Sequence, residues 1–158
     1  MPPRALVTTS LETPIGRLWL SAGAAGLRSV QRTEHPPDGA TLGESDALAD
    51  ATRQLAEYFS GSRRGFDLWL DLDGVAPFHV AVYRAAMAIP YGATAAYGDV
   101  AAEVGSPRAA RAVGRAMAVC PLFPVVPCHR VIHADGSIGG WGPDLWVKRW
   151  LLRHEGWR

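Results

Sequence analysis

A change in the spacing of apolar residues divides this sequence near Gly74. Before Gly74, apolar residues tend to alternate with polar ones over short runs, which is typical of β-strands. After it, they recur every three to four residues, which is typical of amphipathic helices. A run of strands followed by a run of helices predicts an α+β protein. We therefore expect two domains, residues 1–74 and residues 75–158.

The first domain is predicted to be a small sheet with one helix. Ser45 suits the N-cap of a helix that runs to Phe59, and Gly61 would end it. Residues 66–72 alternate apolar and polar positions and so predict a half-buried strand. Three more strands are expected at residues 6–9, 18–20 and 27–31, with a turn at 13–16.

The second domain is predicted to be mostly helical. A short helix over residues 97–104 is followed by Gly-Ser-Pro at 105–107 and by a second helix over 108–118. This is the spacing of a helix-turn-helix motif. Any helical hairpin has the same spacing, so the pattern alone leaves both interpretations open.

The second helix of this pair combines small residues with arginines. Small residues let a helix approach another backbone closely, and the arginines can reach phosphates. Packing inside the protein would explain the small residues but not three arginines. The small residues are Ala109, Ala110, Ala112 and Gly114, and the arginines are Arg108, Arg111 and Arg115.

The charge of the chain is unevenly distributed. The net charge of +1 does not by itself indicate a polyanionic partner. However, residues 1–74 have a net charge of −3 and residues 75–158 a net charge of +4. The charge of the second domain therefore allows nucleic acid as a partner but does not require it. No apolar run reaches the roughly 18 residues of a membrane helix, and residues 1–4 do not begin a signal segment. We expect a cytoplasmic protein that does not bind membranes.

The two cysteines, Cys120 and Cys128, are too few for a disulfide framework, and the scattered histidines predict no metal site. Cys128 is followed directly by His129 and Arg130. A thiolate is a nucleophile, and an imidazole can accept the proton that a thiol loses. A buried structural cysteine accounts for the same residues equally well, so the residue types alone leave the chemistry open.

Residues 127–131, Pro-Cys-His-Arg-Val, resemble the active-site signature of the O6-alkylguanine-DNA alkyltransferases. Further matches in the same order lie at 89–92, 97–98, 110–114 and 148–156, so the resemblance is strong over residues 77–156. Over residues 1–74 the resemblance is limited to the general layout. The resemblance implies a ribonuclease-H-like sheet and helix packed on a helical domain that contains a helix-turn-helix.

The function that the resemblance implies is direct DNA repair. The alkyl group of O6-alkylguanine would move irreversibly onto Cys128, once per molecule, and O4-alkylthymine is a second candidate lesion. Such proteins bind double-stranded DNA in the minor groove, which suits a helix of small residues, and flip the damaged nucleotide. The resemblance implies no metal and no cofactor, and we expect a monomer.

The resemblance also implies roles for single residues. Glu155 would hold His129, which would deprotonate Cys128 through a water. Tyr97 would crowd the 3′ phosphate and donate a proton to the leaving guanine. Arg111 would fill the space that the flipped base leaves. The pocket would be lined by Pro127, Val131, Trp141 and Gly142.

Two further residues are expected to be structural. Arg130 would tie the two halves of the protein together. Cys120 stands where the family usually has an Asn, whose amide joins the helix-turn-helix to the active-site loop. A thiol cannot reproduce the paired hydrogen bonds of an amide, and the loss would cost about 1–3 kcal/mol if a buried partner stays unpaired. Cys120 is also a candidate second thiol near the site. The other departures are His79, Tyr83, Ala96, Trp141 and residues 143–144.

These departures keep two other functions open. A repurposed family member would take an alkyl or related group from a small molecule or a bulky adduct. A non-catalytic module would flip and mark lesions without repairing them. Related non-repairing proteins lack the reactive cysteine, whereas Cys128 is present here.

Overall fold

The computed structural model describes residues 5–157. Residues 1–4, on which the expectation about a signal segment depends, lie outside the described residues, as does residue 158. The chain divides into two compact units between residues 73 and 74. Within the described part of the chain, every helix is too short or too polar to cross a lipid bilayer.

The first unit contains a three-stranded antiparallel sheet with the order β1-β2-β3. The expected strands and the turn between the first two are confirmed, since β1 and β2 pair from Thr13–Gly16 outward. A helix, α1, packs on this sheet. The elements are β1 (Val7–Thr13), β2 (Gly16–Gly23), β3 (Gly26–Arg32) and α1 (Asp46–Ser60).

The ends of α1 follow from its flanking residues. The Ser45 hydroxyl accepts a hydrogen bond from the Leu48 N–H at 3.2 Å, so it caps the first turn. Gly61 has a φ of 88°, a left-handed conformation that favours glycine and ends the helix. Leu48 and Leu55 are completely buried on the face toward the sheet. The predicted helix and both caps are confirmed.

The expected strand at residues 66–72 is wrong. The alternation of more and less buried side chains is present there, but the segment forms only an isolated bridge between Leu70 and Leu27. Leu27 donates to the Trp69 carbonyl and accepts from the Asp71 N–H. A Cβ on Gly26 would collide with the Trp69 carbonyl, so only glycine allows this close approach. The contact is thus made at one residue rather than along a ladder.

The second unit is mainly helical, and the α+β class is confirmed. Two short strands, β4 and β5, pair in parallel and join segments that are distant in sequence. The elements are α2 (Pro77–Met87), β4 (Ala95–Ala96), α3 (Tyr97–Glu103), α4 (Ala110–Ala118), a 3-10 turn (Cys128–Arg130), β5 (Val131–Ile132), a second 3-10 turn (Gly142–Asp144) and α5 (Leu145–His154).

The connection between α3 and α4 is longer than expected. Helix α4 begins at Ala110 instead of residue 108, so Arg108 and Ala109 lie before it. Gly105 has a φ of 79°, and Ala109 donates to the Ser106 carbonyl in a separate turn. This separate turn takes up residues that the expected helix would have included. The two helices still contact each other.

The core of the second unit joins α2 to α4. Tyr83 of α2 is 1% exposed, and its hydroxyl donates to the Ala116 carbonyl of α4 at 2.7 Å. Val113, Ala116 and Met117 form the buried face of α4. Tyr83, which departs from the usual family residue, therefore anchors α4, the helix that carries Arg111 and Arg115.

Candidate active site

The functional side chains of the second unit come together at a 3-10 turn and at the C-terminal end of α5. The 3-10 turn Cys128–Arg130 presents three consecutive functional side chains. Glu155 is the C-cap of α5 and reaches the same place. Because a helix ends at Glu155, its carboxylate enters the core from the end of α5 rather than from its exposed face.

Glu155 is the acceptor at the centre of a buried hydrogen-bond network. Its carboxylate pairs with His129 Nε2 at 2.7 Å and accepts from Arg130 Nε at 2.7 Å and Nη2 at 3.0 Å. Arg130 also donates to the Ile89 carbonyl at 2.7 Å, and Gly92 N–H lies 3.4 Å from Glu155. These partners all belong to the second unit, so Arg130 braces that unit internally. An arginine offers several donors in one plane, which allows this double contact.

The protonation state of His129 follows from its partners. The Nε2–H donates to Glu155, which leaves Nδ1 as the acceptor nitrogen of a neutral ring. Nδ1 is buried and has no hydrogen-bond partner among the residues that the structure describes. Burial lowers the pKa of His129, although the hydrogen bond to Glu155 acts in the opposite direction. The site therefore holds a neutral imidazole with a free lone pair.

The side chain of Cys128 is buried. Cys128 is only 1% exposed, and burial raises the pKa of its thiol well above the usual value. The adjacent Cys120 thiol raises that pKa further, while Lys148 lowers it. Both cysteines are free thiols. Cys120 is therefore near enough to Cys128 to influence its pKa, and its role at the site stays a prediction.

Tyr97 lies beside a buried lysine, Lys148, for which the sequence predicted no role. Lys148 is completely buried in α5, and its ammonium donates to the Val131 carbonyl at 2.7 Å and to the Tyr97 hydroxyl at 3.3 Å. Burial lowers the pKa of Lys148 to about 8. Burial raises the pKa of Tyr97, with a contribution from Cys128. The available signal was a lysine within the apolar stripe of α5, between Val147 and Leu151.

Aromatic rings form one wall of the site. The Phe123 ring meets His129 edge-on with 5.9 Å between centroids, and it meets Trp141 edge-on at 5.0 Å. The Lys148 ammonium lies 5.5 Å from the centres of both the Trp141 and Tyr97 rings. Trp141 therefore lies close to the residues around Cys128. The sequence did not predict the place of Phe123, because it lies outside the segments that resemble the family.

The other expected pocket residues differ in their burial. Pro127 and Val131 are buried, and Val131 contributes its carbonyl to Lys148. Gly142 is exposed at the start of the second 3-10 turn. Within residues 5–157, no three His, Cys, Asp or Glu side chains come together as a set of metal ligands.

The arginines of the α3–α4 pair all face solvent. Arg108, Arg111 and Arg115 are exposed. Gly114 lies against the Tyr97 ring, where an added Cβ would be 3.9 Å from the nearest ring carbon. The small residues Ala109, Ala110, Ala112 and Gly114 are partly exposed.

Family models match both units of the chain. Residues 77–157 match the DNA binding domain of 6-O-methylguanine DNA methyltransferase, and residues 6–72 match its ribonuclease-like domain. These two matches span most of the sequence.

Known proteins of similar length are related to this chain. A DNA base-flipping protein of Thermus thermophilus is 43% identical over 92% of this chain and 97% of its own length. A methylated-DNA--protein-cysteine methyltransferase of Mycobacterium leprae is 42% identical over 92% of this chain and 90% of its own length. The crystal structure of Mycobacterium tuberculosis OGT in complex with DNA has a TM-score of 0.83 and 39% identity, covering 92% of this chain and 90% of that chain. This chain belongs to the 6-O-methylguanine DNA methyltransferase family.

Proposed function

We propose that this protein repairs O6-alkylguanine in double-stranded DNA by irreversible transfer of the alkyl group to Cys128, with O4-alkylthymine as a second candidate lesion. One observation carries the proposal. Cys128 is followed by an imidazole whose Nε2–H is held by Glu155 and whose Nδ1 is left as a proton acceptor. The methyltransferase names of several relatives support the same reaction.

The first step forms the nucleophile. His129 takes the proton of Cys128 through a water, and Glu155 stabilises the imidazolium that forms. The thiolate attacks the alkyl carbon in line with the bond to the guanine oxygen. The new bond is carbon–sulfur, and the electron pair of the broken carbon–oxygen bond stays on guanine.

The second step neutralises the leaving group. A guanine anion departs poorly unless it receives a proton or a hydrogen bond as it forms. Tyr97 is the donor in this proposal, and the Lys148 ammonium, which donates to the Tyr97 hydroxyl, supports the loss of its proton. The product is a thioether on Cys128, which no simple hydrolysis reverses. Each molecule acts once, and the lesion itself supplies the alkyl group, so no cofactor takes part.

DNA binding is assigned to the α3–α4 pair acting as a helix-turn-helix in the minor groove. The exposed Arg108 and Arg115 would contact phosphates. The nucleotide must be flipped because its O6 atom cannot be reached inside a duplex. Arg111 would then occupy the space that the flipped base leaves in the base stack. Tyr97 would press on the 3′ phosphate of that nucleotide. We propose a cytoplasmic monomer as the acting form.

A mass measurement tests the transfer. The protein is incubated with a duplex oligonucleotide that contains one O6-methylguanine, and its intact mass is followed. The expected result is a gain of one methyl group per protein, mapped to Cys128 by peptide analysis. Cys128→Ser and an unmodified duplex are the controls. No gain with methyl or bulkier lesions, while Cys128 remains reduced, contradicts the proposal.

Base flipping without transfer is a second candidate function. It is favoured by the similarity to the DNA base-flipping protein of Thermus thermophilus and by the deep burial of Cys128. Tight binding of the lesion duplex by wild-type protein and by Cys128→Ser, with no mass gain in the wild type, would support this function. Multiple turnovers on a small alkylated molecule would instead indicate a repurposed enzyme.

A further inference from the structure

His133 lies beside Tyr97 because the two residues follow paired strands. The short strands β4 and β5 run in parallel, with Ala96 opposite Ile132. Tyr97 directly follows Ala96, and His133 directly follows Ile132, so the register brings both side chains to the same end of this sheet. Their ring centroids are 5.3 Å apart, and the ring planes are inclined at 52°. His133 is therefore a neighbour of the proposed proton donor, although the sequence indicated no function for it.

A tight turn fixes the backbone of His133. Its N–H donates to the Ser137 carbonyl at 3.0 Å, and its carbonyl accepts from the Gly136 N–H at 2.9 Å. The Ser137 N–H donates to the Asp135 carboxylate at 2.9 Å within the same turn. His133 itself is exposed. An exposed side chain on a fixed backbone can bind a ligand at a small cost in conformational entropy.

The Nε2 atom of His133 lies next to a segment of glycines. A Cβ on Gly139 would be 3.6 Å from Nε2, and a Cβ on Gly140 would be 4.0 Å from it. The same Cβ on Gly140 would be 3.9 Å from the Tyr97 hydroxyl. Because both residues are glycines, neither places a side chain between the two polar atoms. The His133 nitrogen and the Tyr97 hydroxyl therefore converge near Gly140, where both can donate to neighbouring oxygens of one ligand.

The charges around this pair favour an anionic ligand. The Lys148 ammonium donates to the Tyr97 hydroxyl at 3.3 Å, which makes that hydroxyl a stronger donor to a further group. The opposing charge is Asp135, which interacts electrostatically with His133. The Asp135 carboxylate already accepts from the Ser137 N–H. Two donors beside a buried cation suit a group with several charged oxygens, such as a phosphodiester.

The pair also adjoins the helix to which DNA binding is assigned. Gly114 of α4 lies against the Tyr97 ring, where an added Cβ would be 3.9 Å from the nearest ring carbon. Tyr97 is thus in contact with α4 and close to His133. A DNA backbone that reaches Tyr97 along α4 comes within reach of the exposed imidazole.

We propose that His133 donates a hydrogen bond from Nε2 to the DNA phosphate on which Tyr97 acts, the phosphate on the 3′ side of the flipped nucleotide. This inference rests on the proposed function. Tyr97 presses on the phosphate as the nucleotide rotates, and His133 binds the phosphate in its rotated position. His133 is a positioning residue, because a phosphate contact orients the DNA and takes no part in the bond changes at the alkyl group.

The experiment removes the two partners of this contact separately and together. Equilibrium binding of a duplex with one O6-methylguanine is measured in a C128S parent, which lacks the acceptor sulfur. A second duplex carries a methylphosphonate on the 3′ side of the lesion, so that a methyl group replaces one charged oxygen. H133A removes the ring, H133F keeps a ring against Tyr97 but has no donor, and H133Q keeps a donor. H35A is the matched control, because His35 is an exposed histidine of the first unit.

We expect H133A and H133F to weaken binding of the ordinary lesion duplex about tenfold, equivalent to about 1.4 kcal/mol. On the methylphosphonate duplex both should bind as the C128S parent does, because each change removes the same contact. H133Q should lose less affinity than H133F, and H35A should lose none. Unchanged affinity in H133F overturns the proposal, since ring packing alone would then account for His133. An equal loss on both duplexes overturns it as well.

Methyl transfer by the protein with Cys128 intact separates this contact from the proposed function. If the phosphate dependence of His133 is observed and the wild type transfers no methyl group, the repair function fails and the contact stands. If the wild type gains a methyl group and H133F shows no phosphate-dependent loss, only the contact fails. If the C128S parent does not bind the lesion duplex, the contact is excluded whatever the result of the transfer assay.

Discussion

The carboxylate of Glu155 holds the Nε2–H of His129 at 2.7 Å in a place where both side chains are almost completely buried. This contact fixes which nitrogen of the ring carries the proton. It also brings a negative charge into the core, which Arg130 balances at 2.7 Å. The orientation of the base and the balance of charge therefore depend on one carboxylate.

Replacing Glu155 by Gln should destabilise the protein and slow alkyl transfer. The amide cannot balance the charge of Arg130, and removal of one member of a buried ion pair costs about 3–5 kcal/mol. Urea denaturation measures this loss, and the transfer rate is followed by intact mass. Glu57→Gln is the matched control, because Glu57 pairs with Arg53 on the surface of α1 and such pairs contribute about 0–1 kcal/mol. Equal losses in the two variants would contradict the role of the buried network.

Replacing Tyr97 by Phe should slow the chemical step while leaving the fold intact. General acid catalysis contributes about 100- to 10,000-fold, so we expect single-turnover transfer to slow by at least about 100-fold. Rapid-quench measurements with saturating protein separate this step from DNA binding. Tyr91→Phe serves as the control, since the Tyr91 hydroxyl contacts the His154 carbonyl and should leave the rate unchanged. A normal rate in Tyr97→Phe would exclude the phenol as the proton donor.

Replacing Lys148 by Met should remove a specific pH dependence of stability. The pKa of Lys148 falls from 10.5 in the unfolded chain to about 8 in the folded protein. Between these values the unfolded state binds more protons, so the free energy of unfolding rises with pH. Urea denaturation at pH values below and within this window should show the rise in the wild type and a smaller one in Lys148→Met. The same dependence in both proteins would show that Lys148 does not titrate in this way.

Replacing Arg111 by Ala should slow alkyl transfer from duplex DNA far more than alkyl transfer from the free base. Unstacking a nucleotide costs a few kcal/mol, and Arg111 would offset part of it only in a duplex. We expect the rate of alkyl transfer to fall tenfold or more with duplex O6-methylguanine, equivalent to about 1.4 kcal/mol. With free O6-alkylguanine the rate should hardly change. Arg17→Ala controls for loss of surface charge, because Arg17 is a partly exposed arginine of β2 that pairs with Glu12. An equal loss on both substrates would contradict this role.

Local patterns in the sequence were sufficient for much of the fold. The helix between Ser45 and Gly61 was predicted with both caps, because capping depends on residues within a few positions of each other. The α+β class followed from the change in apolar spacing near Gly74. The candidate nucleophile and base at Cys128 and His129 were adjacent in sequence, and the resemblance to a family supplied their expected roles.

The contacts that complete the site were decided only by the tertiary structure. Lys148 reaches Tyr97 across 51 positions of sequence, and Glu155 reaches His129 across 26. The alternating residues 66–72 meet β3 at a single bridge, between Leu70 and Leu27, and do not form a strand along it. Periodicity and capping act between near neighbours in the chain. Burial, pKa shifts and long-range hydrogen bonds depend instead on which distant segments pack together.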